Sequence, residues 1–121
     1  MGKHLMGTHK NLEVWHLGIS LVLDIYQITN LFPKRELYGL TAQLRRCAVS
    51  VPSNIAEGAA RKSRKEYIHS LYISLGSLSE LETQILISYK LGYIKNLELM
   101  KKIEVLRRKI LKLVRYLKTT A

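Results

Sequence analysis

Nine basic residues crowd the C-terminal quarter of the chain: Lys95, Lys101, Lys102, Arg107, Arg108, Lys109, Lys112, Arg115 and Lys118. Only Glu98 and Glu104 oppose them there, a net +7 over 24 residues. The chemistry open to such residues is electrostatic, since lysine and arginine contact phosphate oxygens and release condensed counterions. At about 100° per residue of helix, Lys101, Arg108, Lys112 and Arg115 fall within a stripe roughly 60° wide, with Lys102 and Lys109 beside it. A face built only for solubility would interleave glutamates for i,i+4 pairs, and this ridge has almost none, so the imbalance favours phosphate contact over an ordinary solvated surface. A second cluster, Arg61, Lys62, Arg64 and Lys65, sits where a helix should begin and free backbone N–H groups add to the positive charge. The opposite reading, cations merely tolerated at a helix start in full solvent, is equally open there.

Catalysis finds little support. His4 and His9 stand near the N-terminus, while His16 and His69 fall on different segments with no H-x-x-x-H or H-E-x-x-H spacing, so no metal site is expected. Asp24 is the only aspartate, and there is no glycine-rich phosphate loop, dinucleotide fingerprint or paired-carboxylate pattern. The expectation is a non-enzyme without a cofactor. Cys47 lies in an apolar stripe and reads as a packing residue rather than a nucleophile. Arg46 belongs to a polar stripe with Gln43, Ser50, Ser53, Asn54 and Glu57, and is expected to pair with Glu80 or Glu82.

The elements that must hold these residues are legible from composition and spacing. The chain has 121 residues, 47% of them hydrophobic and 24% charged, which fits one globular domain, and its formal charge of +11 makes a polyanion the natural partner. Two prolines and seven glycines argue for a few long helices over a many-stranded sheet. The longest strongly apolar stretch, Leu17 to Leu23, falls far short of the roughly 20 residues of a membrane span. One cysteine excludes an intrachain disulfide, and with no secretory signal legible, a cytoplasmic location is expected. Residues 1–10 read as a flexible tail and residues 11–121 as the domain.

A first helix is expected from Asn11 to Asn30, with one apolar stripe at Leu12, Trp15, Ile19, Val22 and Tyr26. A second stripe, at Val14, Leu17, Leu21, Ile25 and Ile28, makes the apolar arc wider than one packing partner requires. Pro33 closes it. A second helix is expected from Glu36 to Glu57, kinked at Pro52 and capped by Gly58. Ser63 and Glu66 form a capping box that starts the third helix at Arg64, and Gly92 ends it in a left-handed cap. Along this helix, Ser70, Ser74 and Ser77 allow close approach of a neighbour. Asn96 caps a fourth helix whose Leu99, Ile103, Leu106, Ile110, Leu113 and Leu117 form a bundle seam directly opposite the basic ridge. The expected fold is all-α, an antiparallel up-and-down four-helix bundle.

Several segments also resemble a known family. Leu12-Glu13-Val14-Trp15, Phe32-Pro33, Tyr38-Gly39-Leu40-Thr41 with Gln43, Arg45-Arg46 and Ser50-Val51-Pro52-Ser53-Asn54-Ile55-Ala56-Glu57-Gly58 resemble the bacterial four-helix bundle family of 23S rRNA intervening-sequence proteins. Gly76-Ser77-Leu78, Glu80-Leu81-Glu82-Thr83-Gln84 and Leu91-Gly92-Tyr93-Ile94 extend the likeness to about Ile94, and a generic helix follows. His16 and Cys47 depart from the pattern, where glutamine and alanine are common. The resemblance implies a ring-like homopentamer and a relationship to the accessory proteins of retroelement reverse transcriptases, and it implies no enzymatic activity. Combined with the charge, it gives an expectation of a nucleic-acid-binding oligomer that favours structured RNA or an RNA/DNA hybrid. The alternative is a scaffold docking an acidic protein or a reverse transcriptase.

Overall fold

The computed structural model describes His9 and residues 12–120. Among the described residues there are four α-helices and no strand: α1 (Glu13–Thr29), α2 (Leu40–Ala60), α3 (Arg64–Lys90) and α4 (Leu99–Thr119), with one 3-10 turn at Lys34–Glu36. Each helix packs on the next in the chain, α4 also packs on α1, and the α2–α3 contact is the most extensive. Of the expected N-terminal tail, all but His9 lies outside the described residues. The His9 ring meets the edge of Trp15 at 4.8 Å, and Trp15 in turn meets His16 at 5.0 Å.

The two stripes of α1 divide their work. Val14, Leu21 and Ile25 are buried in the core, whereas Ile19, Leu23 and Tyr26 remain exposed, Leu23 at 60%. The wide apolar arc is thus only half used within the chain. Thr29 closes α1 by donating its hydroxyl to the Ile25 carbonyl, and Phe32 then folds in beneath Tyr93.

Helix α2 begins at Leu40 rather than at Glu36. Glu36 instead sits in the preceding turn and acts as a cap from outside: its carboxylate accepts the Leu40 N–H at 3.2 Å and the Tyr93 hydroxyl at 2.9 Å. These two bonds, that from Leu40 first, hold its carboxyl below the usual carboxylate range. The other end of α2 also differs from expectation. Gly58 lies inside the helix, which runs on to Ala60, and it caps nothing. A Cβ at Gly58 would come within 2.6 Å of the Ser70 Cβ, so glycine is present to let two backbones approach.

That closeness continues along α2 and α3 through the serines. The Ser74 hydroxyl donates to the Val51 carbonyl at 2.8 Å, and the Ser50 hydroxyl lies 2.6 Å from that of Ser77 and donates to the Cys47 carbonyl. Asn54 donates its side-chain amide to the Ser50 carbonyl, so polar groups cluster around the turn that Pro52 interrupts. Pro52 itself is buried against Gly18 of α1, where a Cβ would meet it at 3.2 Å.

Helix α3 starts as the capping pattern predicts, with Ser63 accepting the Glu66 N–H, and it ends at Gly92 with φ +84. Asn96 accepts the Glu98 N–H at 3.1 Å, capping the turn that leads into α4. In α4 the seam faces inward: Ile103, Leu106, Ile110 and Leu117 are buried, Leu99 and Leu113 partly so, and Val114 joins the core. No helix is long and apolar enough to cross a membrane among the described residues.

Candidate nucleic-acid interface

With its leucine and isoleucine seam turned to the core, α4 necessarily presents its opposite side to solvent, because a helix has one axis and both faces share it. Lys101, Arg108, Lys112 and Arg115 occupy that outer side and are all exposed. Among the described residues no carboxylate lies within 4 Å of Lys101, Lys112 or Arg115. Arg108 is 76% exposed but does have an acidic neighbour, since its Nε donates to Glu104 at 3.3 Å. The ridge was expected to lack flanking acids, and Glu104 corrects that at one position. It accepts from Arg107 at 2.6 Å as well, and this bond, followed by that from Arg108, keeps its carboxyl below the usual range.

The two residues at the margin of the ridge are engaged across helices. Lys102 pairs with Asp24 and donates to Ser20 Oγ, and Lys109 pairs with Glu13 at 3.2 Å. On the other side of α4, Arg107 bridges Glu104 and Glu82, and Lys118 donates to the Tyr72 hydroxyl while lying 5.4 Å from the centre of its ring. Ion pairs therefore fasten both flanks of α4 to its neighbours and leave the crest of the ridge uncovered.

The second basic cluster is split. Arg61 is tied to Glu57 at 3.0 Å and to Glu66 at 3.8 Å. Lys62, Arg64 and Lys65 are exposed, and none has a carboxylate within 4 Å among the described residues. The Lys118–Tyr72 contact sets the end of α4 beside α3 only two turns, about 10 Å, beyond Lys65. Both clusters thus lie toward one end of the bundle.

Sequence reasoning overlooked an exposed aromatic at this surface. Tyr116, 57% exposed, adjoins Arg115 and stands one turn after Lys112, at the edge of the crest. Its i,i+4 relation to Lys112 was the available signal. A phenol ring in such a place offers a stacking surface for an unpaired base.

A cleft opens on the opposite side, between α2 and α3. It is lined by Gln43, Arg46, Cys47, Ser50, Ser77, Glu80 and Gln84 and encloses about 570 Å³. Arg46 does not pair with Glu80 or Glu82 as expected: no carboxylate lies within 4 Å of its guanidinium among the described residues. Residues two apart on a helix face different ways, so Glu82 looks toward α4 and is taken by Arg107, while Glu80 looks into the cleft. Cys47 forms part of the wall. Burial, then the nearby Glu80 carboxylate, pushes its thiol up to about 12, and the Sγ donates to the Ser77 carbonyl, so it stays protonated and unreactive at neutral pH. Among the described residues no group of three or more His, Cys, Asp or Glu could hold a metal ion.

Comparison with curated proteins returns no match. The profile of the 23S rRNA-intervening sequence proteins, by contrast, aligns with residues 10–118, nearly the whole chain and all four helices. The motifs around Trp15, Pro52 and Gly92, each given a structural task above, lie within that match, and the chain belongs to the 23S rRNA-intervening sequence protein family.

Proposed function

We infer that this protein is a non-enzymatic, oligomeric nucleic-acid-binding bundle, with the crest of α4 contacting the phosphates of structured RNA or an RNA/DNA hybrid. The observation that carries the reading is the crest itself: Lys101, Lys112 and Arg115 are exposed, with no carboxylate within 4 Å among the described residues. From Lys101 to Arg115 the helix rises about 21 Å, enough to follow several successive phosphates. Nothing in the crest carries a donor and acceptor pattern for base edges in a duplex, so binding is electrostatic and steeply salt-dependent.

The cross-helix contacts support an antiparallel up-and-down arrangement, because they pair residues in opposite order. Glu13 and Asp24 of α1 meet Lys109 and Lys102 of α4, and Tyr72 and Glu82 of α3 meet Lys118 and Arg107. The exposed Ile19, Leu23 and Tyr26 on α1, continued by Leu31, support burial against another copy, for which a homopentameric ring in the bacterial cytoplasm is the family expectation. A ring multiplies the crest and gives polyanion binding an avidity that one chain lacks.

The test is fluorescence anisotropy of a labelled RNA stem-loop across a salt series. Replacing Lys101, Lys112 and Arg115 together by glutamate should lower affinity at low salt at least about tenfold and flatten the log–log slope by about three, leaving helicity unchanged. A slope equal to that of the unaltered protein refutes the crest. If RNA binds neither protein, an acidic protein partner becomes the better reading of the same charge.

A further inference from the structure

The α2–α3 cleft holds polar groups that the fold leaves unmatched. Gln84 is only 7% exposed, yet its Oε1 is buried without a hydrogen-bond partner, a state that costs free energy unless a donor arrives. Glu80 lines the same cleft and adds a second acceptor from the same helix, one turn away. Across from them, α2 supplies donors, the guanidinium of Arg46 and the amide of Gln43. Arg46 and Glu80 share the cleft without an ion pair between them, so each keeps its bonding capacity for something else. The enclosed volume, about 570 Å³, is that of a small-molecule site.

A matching ligand must present adjacent donors toward α3 and adjacent acceptors toward α2. Among the nucleobases, guanine alone has two neighbouring donor groups, N1–H and the N2 amino group, followed by two neighbouring acceptors, O6 and N7. Adenine and uracil interleave donor and acceptor, and cytosine has one donor group. Arginine is also the commonest partner of guanine O6 and N7, held in a bidentate fork. We propose that the cleft between α2 and α3 is a guanine-binding site, with Glu80 and Gln84 accepting from N1–H and N2 and Arg46 donating to O6 and N7. It lies on a different helix pair from the α4 crest and does not rest on it. The guanine comes either from a free nucleotide or from an unstacked base in RNA.

The experiment is calorimetric titration of the full chain with guanosine 5′-monophosphate and with adenosine 5′-monophosphate, repeated with the single-stranded ribonucleotides AAGAA and AAAAA. The guanine nucleotide should bind at least about tenfold more tightly than the adenine nucleotide. Glu80→Gln should abolish that preference, as should Arg46→Gln, with helicity unchanged in both. The Lys101, Lys112 and Arg115 reversal should leave it intact, so failure of the crest and failure of the cleft are told apart. Preference among the mononucleotides identifies a free nucleotide as the source, and preference confined to AAGAA identifies RNA. Equal or absent binding of the two bases in both formats overturns the site, and so does a guanine preference that survives both cleft substitutions.

Discussion

The α2–α3 seam and the attachment of α4 solve the same problem, holding two helices together, by opposite means. In the seam, contact is set by what is missing: Gly58 has no side chain where Ser70 needs space, and small hydroxyls at Ser70, Ser74 and Ser77 let the backbones close in. At α4, contact is set by bulk, with Ile103, Leu106, Ile110, Val114 and Leu117 filling the interior. A seam of small residues and side-chain-to-backbone bonds tolerates one register. A spine of large aliphatic residues works with many outer faces, which leaves the outside of α4 open to charge. The lesson is that the part of the molecule least constrained by packing carries the strongest electrostatic signature.

The contrast can be broken at its strongest point. Ile110→Ala should cost about 3 kcal/mol through lost transfer energy and the cavity left behind, read by urea denaturation. A cost under about 1 kcal/mol would mean the spine is not what anchors α4. Gly58→Ala tests the opposite logic, adding volume instead of removing it, and should cost about 2 kcal/mol because a backbone-proximal Ser70 Cβ cannot swing aside. Neutral or stabilising behaviour, as helix propensity alone would favour, would show that the seam has slack. Ser74→Ala should cost about 1 kcal/mol by removing the buried donor to Val51, and full native stability there would make packing, not hydrogen bonding, the source of register. Smallest of all, Lys102→Ala and Lys109→Ala should each change stability by no more than about 0.5 kcal/mol, since both pairs are largely exposed. A larger loss would move ion pairing from the periphery of the α4 attachment to its centre.

What could be read in the sequence was whatever depends on near neighbours. Periodicity located the α4 spine, Ser63 with Glu66 marked the start of α3, and Gly92 marked its end. Gly58 misled because a glycine late in a helix looks the same whether it caps the chain or admits another helix, and only Ser70, twelve residues on, distinguishes the two. Glu36 misled similarly: an acidic residue just ahead of a helix can begin it or cap it from the previous turn, and Tyr93 decides the matter. On α1 the periodicity was correct for both stripes, yet it could not say which faces inward. The cross-helix pairs of Lys102 with Asp24 and Lys109 with Glu13 join residues far apart in the chain, so local charge patterning saw an unopposed cluster where part of the charge is matched. The α2–α3 cleft was half visible, as a polar stripe on α2 whose complement on α3 was not recognised.

The chain carries one tryptophan, and its indole is sandwiched edge-on between the imidazoles of His9 and His16. Emission from this protein therefore comes from a single address at the base of α1, next to Glu13, which is tied to Lys109. Any event that lifts His9 away, or loosens α4 from α1, should alter its colour or intensity, giving the molecule a built-in optical reporter that needs no label.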